Sequence, residues 1–214
     1  MVPVLEEAGA HTISVTLPWE DDPGLHDHVA GVVGALDSLT AADDVVLVGH
    51  SYAGLVAREA ADQRPRLVRQ LVLVDGWAGG DGAGMFTLAP KPFVDAIRRS
   101  AEANVDGRYI PVPAPSAFGV TDPDDATWLS QRLLPQPLRT FTEVTRLTGA
   151  VDQIPGTAIY CRPQAHQFEQ LAQEIGYRTV AIDGPHDVML TRPHELAALL
   201  LDAHPPRTDG PTIG

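Results

Sequence analysis

The sequence predicts an α/β fold, a mostly parallel sheet flanked by helices, with a helical lid inserted over it. Three observations carry this. Four short runs, "DVVLV" (44–48), "RQLVLVDG" (69–76), "TAIYC" (157–161) and "RTVAID" (178–183), are apolar at consecutive positions, as strands covered on both faces are. Helical patterns separate them, and parallel strands require crossovers of that length. Finally, "VGHSYAG" (48–54) joins an apolar strand to a helix through a glycine-flanked turn, the order strand, sharp turn, helix.

The elements follow in order. "VPVLEEAG" (2–9) reads as the last turns of a helix stopped by Gly9, and "HTISVTLP" (11–18) as a short strand closed by Pro18. From Leu25, the residues Val29, Val32, Val33, Leu36 and Leu39 recur at helical steps, with Asp22 and Pro23 suited to the start. After the glycine turn, Leu55, Val56, Glu59 and Ala60 continue a helix to about Gln63. The second half repeats the unit, with helices at "HQFEQLAQEIG" (166–176) and "PHELAALLLDA" (193–203) around the last strand. Between Gly76 and Gly156 helices are expected without strands. They include "DPDDATWLSQRL" (122–133), with Asp122 as N-cap, and "QPLRTFTEVTRL" (136–147). The proline-rich "IPVPAPSAFG" (110–119) reads as an extended connector. The expected division is a core of residues 1–76 and 157–204, a lid over 77–156, and a frayed tail over 205–214.

Composition narrows the function. With 214 residues and 44% hydrophobic content, one domain with a substantial core is expected. A net charge of −13 repels phosphate backbones and anionic lipid, so neither nucleic acid nor an acidic membrane is an expected partner. The acidic stretches "WEDDPGLHD" (19–27) and "TDPDD" (121–125) read as helix caps and a solvated surface. The single cysteine, Cys161, makes no internal disulfide and fits a reducing, cytoplasmic setting. No run of about 18 apolar residues suggests a membrane span. Oligomeric state leaves no sign in the sequence.

The chemistry centres on Ser51. A serine hydroxyl is a weak nucleophile near neutral pH, so it needs a base within hydrogen-bond reach and donors for the oxyanion it creates. A strand-to-helix turn lifts the side chain above the sheet, exposes the Tyr52 backbone N–H and aims a helix N-terminus at developing negative charge. Gly49 and Gly54 suit the close backbone approach of such an elbow. Ala53 stands where the stricter Gly-x-Ser-x-Gly pattern has glycine.

"VGHSYAG" in this context resembles the nucleophile elbow of the α/β-hydrolase superfamily. "LHDHVAGVVGALDSL", "LVLVDGWAGGDG" and "GPHDVMLTRPHELAALLL" resemble segments of its small esterase-like members, a group that includes plant hydroxynitrile lyases and methyl esterases. The likeness covers most of residues 1–204 and is weakest over the lid. It implies that His186, on the loop after the last strand, is the base. His50 is expected to point away from Ser51; His11, His26, His28, His166, His194 and His204 are expected to be solvated or locally satisfied. No cofactor or metal is implied.

The third member stays open. The resemblance implies a carboxylate after the penultimate strand, but "IYCRPQAHQ" (159–167) has none. Other superfamily members take it from the end of the strand after the nucleophile helix, where this chain has Asp75; Asp183 and Asp187 are further candidates, as is no acid at all. The resemblance also implies an opening strand hairpin and a His-Gly loop completing the oxyanion hole, whereas Met1 falls within the helix that follows them. The expectation is either a truncated chain or a degenerate member. Lid residues Met85, Phe86, Phe118, Trp128, Leu129 and Phe141 are candidates to line an apolar pocket for a small ester. The leading expectation is a serine hydrolase of carboxylic esters, with Ser51, His186, Asp75 and Tyr52 at the site and a small molecule as substrate. A lyase or isomerase with His186 as general base, and a non-catalytic ligand-binding protein, are the alternatives.

Overall fold

The computed structural model describes residues 1–104 and 106–203. The expected tail over 205–214, like His204, lies outside the described residues. In chain order the elements are α1 (Val2–Glu7), α2 (Leu25–Leu36), β1 (Val45–His50), α3 (Ala53–Gln63), β2 (Val68–Val74), α4 (Met85–Leu88), α5 (Lys91–Glu102), β3 (Tyr109–Ile110), α6 (Pro123–Ser130), β4 (Gln136–Pro137), α7 (Arg139–Thr142), β5 (Gly156–Arg162), α8 (Phe168–Glu174), β6 (Arg178–Asp183), α9 (Val188–Thr191) and α10 (Pro193–Asp202), with 3-10 turns at Pro115–Phe118 and Ala150–Gln153.

β1, β2, β5 and β6 form one sheet in that order, and each neighbouring pair is parallel. The continuous apolar runs are explained by its two faces. Val45, Leu47, Leu71, Leu73, Ala158 and Tyr160 join the side packed with α2, α3 and α8. Val46, Val72, Val74, Ile159, Cys161 and Ile182 join the other, under α10 and Leu5 of α1. Alternating residues of one strand thus enter different cores, so neither parity can be polar. β1 is an edge strand, and its Val48 is 44% exposed. Among the described residues no helix is long and apolar enough to cross a membrane.

Three expected elements differ. Residues 11–18 form no strand. Val15 and Leu17 pack against the α2–α3 core while Ile13 is 51% exposed, so the alternation anchors a loop by its side chains without ladder bonds. The helix expected over 136–147 is only Arg139–Thr142, because the backbone beyond it is claimed by tertiary partners. The N–H groups of Thr145, Arg146 and Thr148 donate to the Ala83 carbonyl (2.7 Å), the Glu59 carboxylate (3.0 Å) and the Asp62 carboxylate (2.7 Å). Nor are residues 77–156 free of strands, since Tyr109–Ile110 pairs antiparallel with Gln136–Pro137. Other starts are as their caps dictate. Asp122 accepts from the N–H groups of Asp124 and Asp125, and α2, expected to start at Asp22 and Pro23, is capped instead by Gly24, whose N–H donates to Asp27 (2.7 Å).

α3 anchors this return segment with charges that helical periodicity alone does not reveal. Arg58 is fully buried and donates to Tyr177 Oη (2.7 Å), the Gly79 carbonyl (3.1 Å) and Asp152 (3.0 Å). Glu59 accepts from Arg146 N–H and holds His26 at 2.9 Å, and Asp62 accepts from Thr148 and Val151. Removing one member of such a buried set strands its partners in low dielectric. Arg58→Ala is therefore expected to cost about 3 kcal/mol, read as a lowered urea midpoint. A loss below about 0.5 kcal/mol would show that the guanidinium adds no net stability.

Candidate active site

The elbow is held at the carboxyl end of the sheet. Ser51 sits at φ 53°, a left-handed conformation that side chains resist. Its N–H donates to the Val74 carbonyl (3.1 Å), and its carbonyl accepts from Gly54 N–H and Trp77 N–H (3.0 Å each). The turn therefore bonds directly to the end of β2. Any Cβ on Gly49 would lie 2.6 Å from the Ala53 carbonyl, and one on Gly54 would strike the Trp77 carbonyl. Both glycines follow from that proximity.

Asp75 ends β2 in the same unusual conformation, at φ 43°. Its carboxylate is fully buried and accepts from Cys161 N–H (2.9 Å), while its own N–H donates to the Ile159 carbonyl (2.7 Å). Two adjoining left-handed residues cost of order 1–3 kcal/mol each and persist only where surrounding bonds over-determine them. The same carboxylate meets His186 Nδ1 at 2.7 Å. His186 Nε2 in turn lies 2.9 Å from Ser51 Oγ. With Asp75 accepting from Nδ1–H, Nε2 is left to accept the serine hydroxyl proton.

The other acid candidates lie elsewhere. Asp183 is 65% exposed and pairs with Arg162 at 2.9 Å. Asp187 Oδ1 lies 3.9 Å from His50 Nε2, and burial pushes its carboxyl above the usual range, with His186 pulling the other way. Beside Asp75, burial and then that carboxylate push the Cys161 thiol up to about 12, leaving it inert. Tyr52 precedes α3, where a helix leaves its first N–H groups without intrahelical partners. Its hydroxyl donates to His28 Nδ1 (3.1 Å), and His28 Nε2–H donates to the Pro18 carbonyl (2.7 Å).

One histidine expectation needs correction. His50 does not turn away from the site. Its Nε2–H donates to the His186 carbonyl (3.1 Å), and the two rings lie 4.7 Å apart. His166, expected to be solvated or locally satisfied, joins a ring cluster with Trp77 (4.9 Å), Phe93 (5.0 Å) and Phe168 (5.5 Å). Phe168 itself stacks 5.7 Å from His186. Local pattern does not reveal this cluster, because its members come from three separate segments, around residues 77, 93 and 166–168. Of the inserted aromatics, Phe118 lies beside His186 (6.1 Å) and Phe141 beside Tyr52 (5.9 Å). Phe86 meets Phe141, Met85 and Leu129 are buried packing, and Trp128 is 48% exposed under Arg132.

A groove of about 550 Å³ opens beside the ring cluster between Trp77, Leu88, Pro90, His166 and the start of α8. His50, His186 and Asp187 bring ligand-type atoms within 4.8 Å of one another. Because both His186 nitrogens are engaged, by Asp75 and Ser51, this trio is not a free metal cage.

A buried carboxylate, an imidazole and an elbow serine at the carboxyl edge of a parallel sheet define a hydrolase-type site. The chain belongs to the alpha/beta hydrolase family, whose model matches residues 1–199. It is 30% identical over 195 residues to a carbendazim hydrolyzing esterase of Nocardioides sp. (strain SG-4G), covering 82% of this chain and 77% of that protein. Among solved structures, an extracellular alpha/beta-hydrolase from a Paenibacillus species superposes with TM-score 0.81 at 20% identity, over 95% of this chain and 91% of that one. A methylesterase from Arabidopsis superposes with TM-score 0.72 at 16% identity, over 94% and 90%. At these identities the solved structures bear on the fold.

Three histidines near the site are held below the ordinary value of 6.5, each chiefly by burial, with His186 adding to the effect on His50 and His166. His50 is pushed down to about 4. The folded protein keeps this ring neutral while the unfolded chain protonates it near 6.5, so its stabilisation is complete above that pH and is lost as pH falls toward 4. The loss attributable to His50 is at most about 3 kcal/mol. Urea midpoints compared at pH 7 and in that acid window should fall less in His50→Gln, which keeps an N–H donor. An unchanged pH dependence would remove His50 as a contributor.

Proposed function

We propose that this protein is a serine esterase acting on small carboxylic esters or related acyl compounds. The observation that carries the reading is the continuous chain Asp75 to His186 (2.7 Å) to Ser51 Oγ (2.9 Å). The Nocardioides relative's name, as a carbendazim hydrolyzing esterase, supports an acyl substrate.

Ser51 Oγ attacks the substrate carbonyl carbon as His186 Nε2 takes its proton, forming a tetrahedral oxyanion and an imidazolium. Asp75 holds the ring in the required tautomer and stabilises its charge. Tyr52 N–H, at the positive end of α3, donates to the oxyanion. Collapse expels the alcohol, which takes the proton from His186 and leaves an acyl-serine. Water, deprotonated by the same nitrogen, attacks that acyl group; the second collapse releases the acid and returns the proton to Ser51. The inserted segment 77–156 acts as the lid, with Phe118 and Phe141 beside the reacting groups.

A fluorophosphonate probe tests the reading. Labelling is expected on Ser51, abolished in Ser51→Ala and slowed by at least about a thousandfold in His186→Ala. Folded protein that resists the probe would overturn the proposal. Asp75→Asn, which presents the wrong hydrogen-bond pattern to Nδ1, should lower ester turnover by about 10²–10⁴. An unaffected rate would remove Asp75 from the mechanism while leaving the serine and histidine in place.

A further inference from the structure

We propose that Phe118 is a positioning residue for His186, by which the inserted segment holds the base over the nucleophile; this rests on the Ser51–His186 reading above.

Phe118 closes the 3-10 turn Pro115–Phe118, and the turn is tightly made. Gly119 N–H donates to the Ser116 carbonyl (3.1 Å), Val120 N–H donates to the Pro115 carbonyl (3.2 Å), and Val120 is buried. From this turn three contacts reach the base loop. The Phe118 ring lies 6.1 Å from the imidazole at an interplanar angle of 23°. The Phe118 carbonyl accepts from Asp187 N–H at 3.4 Å, one residue past the base. Gly119, at φ 77°, backs so closely onto Pro185 that a Cβ would lie 2.6 Å from the proline Cβ. One turn thus touches three consecutive residues, 185, 186 and 187.

Elsewhere, bonds hold the base loop by its backbone. Gly184 N–H donates to the Arg162 carbonyl, and His50 donates to the His186 carbonyl, both at 3.1 Å. Neither bond restrains the imidazole about its own side-chain torsions. Asp75 holds Nδ1, but the bond from Nε2 to Ser51 is the one the reaction breaks. While the serine is acylated, the His186 imidazole keeps the Asp75 bond and must still point Nε2 at water. Flat neighbours restrict that swing, and displacement of a catalytic group by about 1 Å can cost about a hundredfold in rate. Phe168 supplies one such ring from the core, 1% exposed. Phe118 supplies the other from a half-buried surface turn, so it can be altered without opening a cavity in the core.

The test uses Phe118→Leu and Phe118→Met, which remain apolar but lose the flat face, with Phe118→Tyr restoring it. Steady-state ester hydrolysis is followed together with the low-field proton resonance of the His186–Asp75 hydrogen bond. In both flexible variants kcat is expected to fall about tenfold with KM changed less than about twofold, the resonance to broaden, and Phe118→Tyr to recover both. Two variants of different shape guard against one that fails to fold, which a thermal unfolding midpoint identifies. Unchanged kcat and an unchanged resonance overturn the positioning role. A change confined to KM also overturns it, because Phe118 then contacts substrate. Wild-type protein that neither turns over esters nor takes up the fluorophosphonate overturns the serine reading itself, and this proposal with it.

Discussion

The arrangement depends on the register between β1 and β2. His50 lies opposite Val74, so the strands end together and the next residue of each, Ser51 and Asp75, emerges side by side at the carboxyl edge. Backbone bonds from Ser51 to Val74 and from Trp77 to Ser51 fasten these ends. Both residues carry positive φ, a cost that neither would bear alone and that the shared bonds make tolerable. A one-step slip would turn every strand side chain to the other face and separate the pair.

The third group arrives from a distance. β5 lies between β2 and β6, yet the loop after β6 returns across it to set His186 over Asp75. Cys161 of β5 closes the gap by donating its N–H to the same carboxylate. Asp75 therefore binds the end of one strand and the base from another. His50, the residue before Ser51, adds a direct bond to the His186 carbonyl. Ser51, Asp75 and His186 are thus linked through bonds within the protein itself.

The chain leading into β5 is secured differently, by charge. Arg58, Glu59 and Asp62, on the buried side of α3, take up backbone and side-chain groups of residues 146–152. The helix that begins at the elbow thus fixes both the Tyr52 N–H at one end and the returning chain at the other. Side-chain periodicity reads such a helix as amphipathic and misses the ionic grip on its buried face.

The sequence by itself determined the strands and their parallel sense, because a run apolar at every position is stable only between two covered faces. The glycine-flanked turn singled out Ser51, and the resemblance to the hydrolase superfamily pointed to His186 on the loop after the last strand. The sequence left the carboxylate open among Asp75, Asp183 and Asp187, and it read a helix over 136–147 and a strand over 11–18. Only the tertiary structure decided these. Which carboxylate meets Nδ1 depends on strand order and on where a distant loop returns. Whether a short segment coils or pairs depends on which neighbours claim its backbone groups, as Ala83, Glu59 and Asp62 do for residues 145–148. Local pattern carries free energies of a few tenths of a kcal/mol per residue, and contacts with residues far along the chain outweigh it.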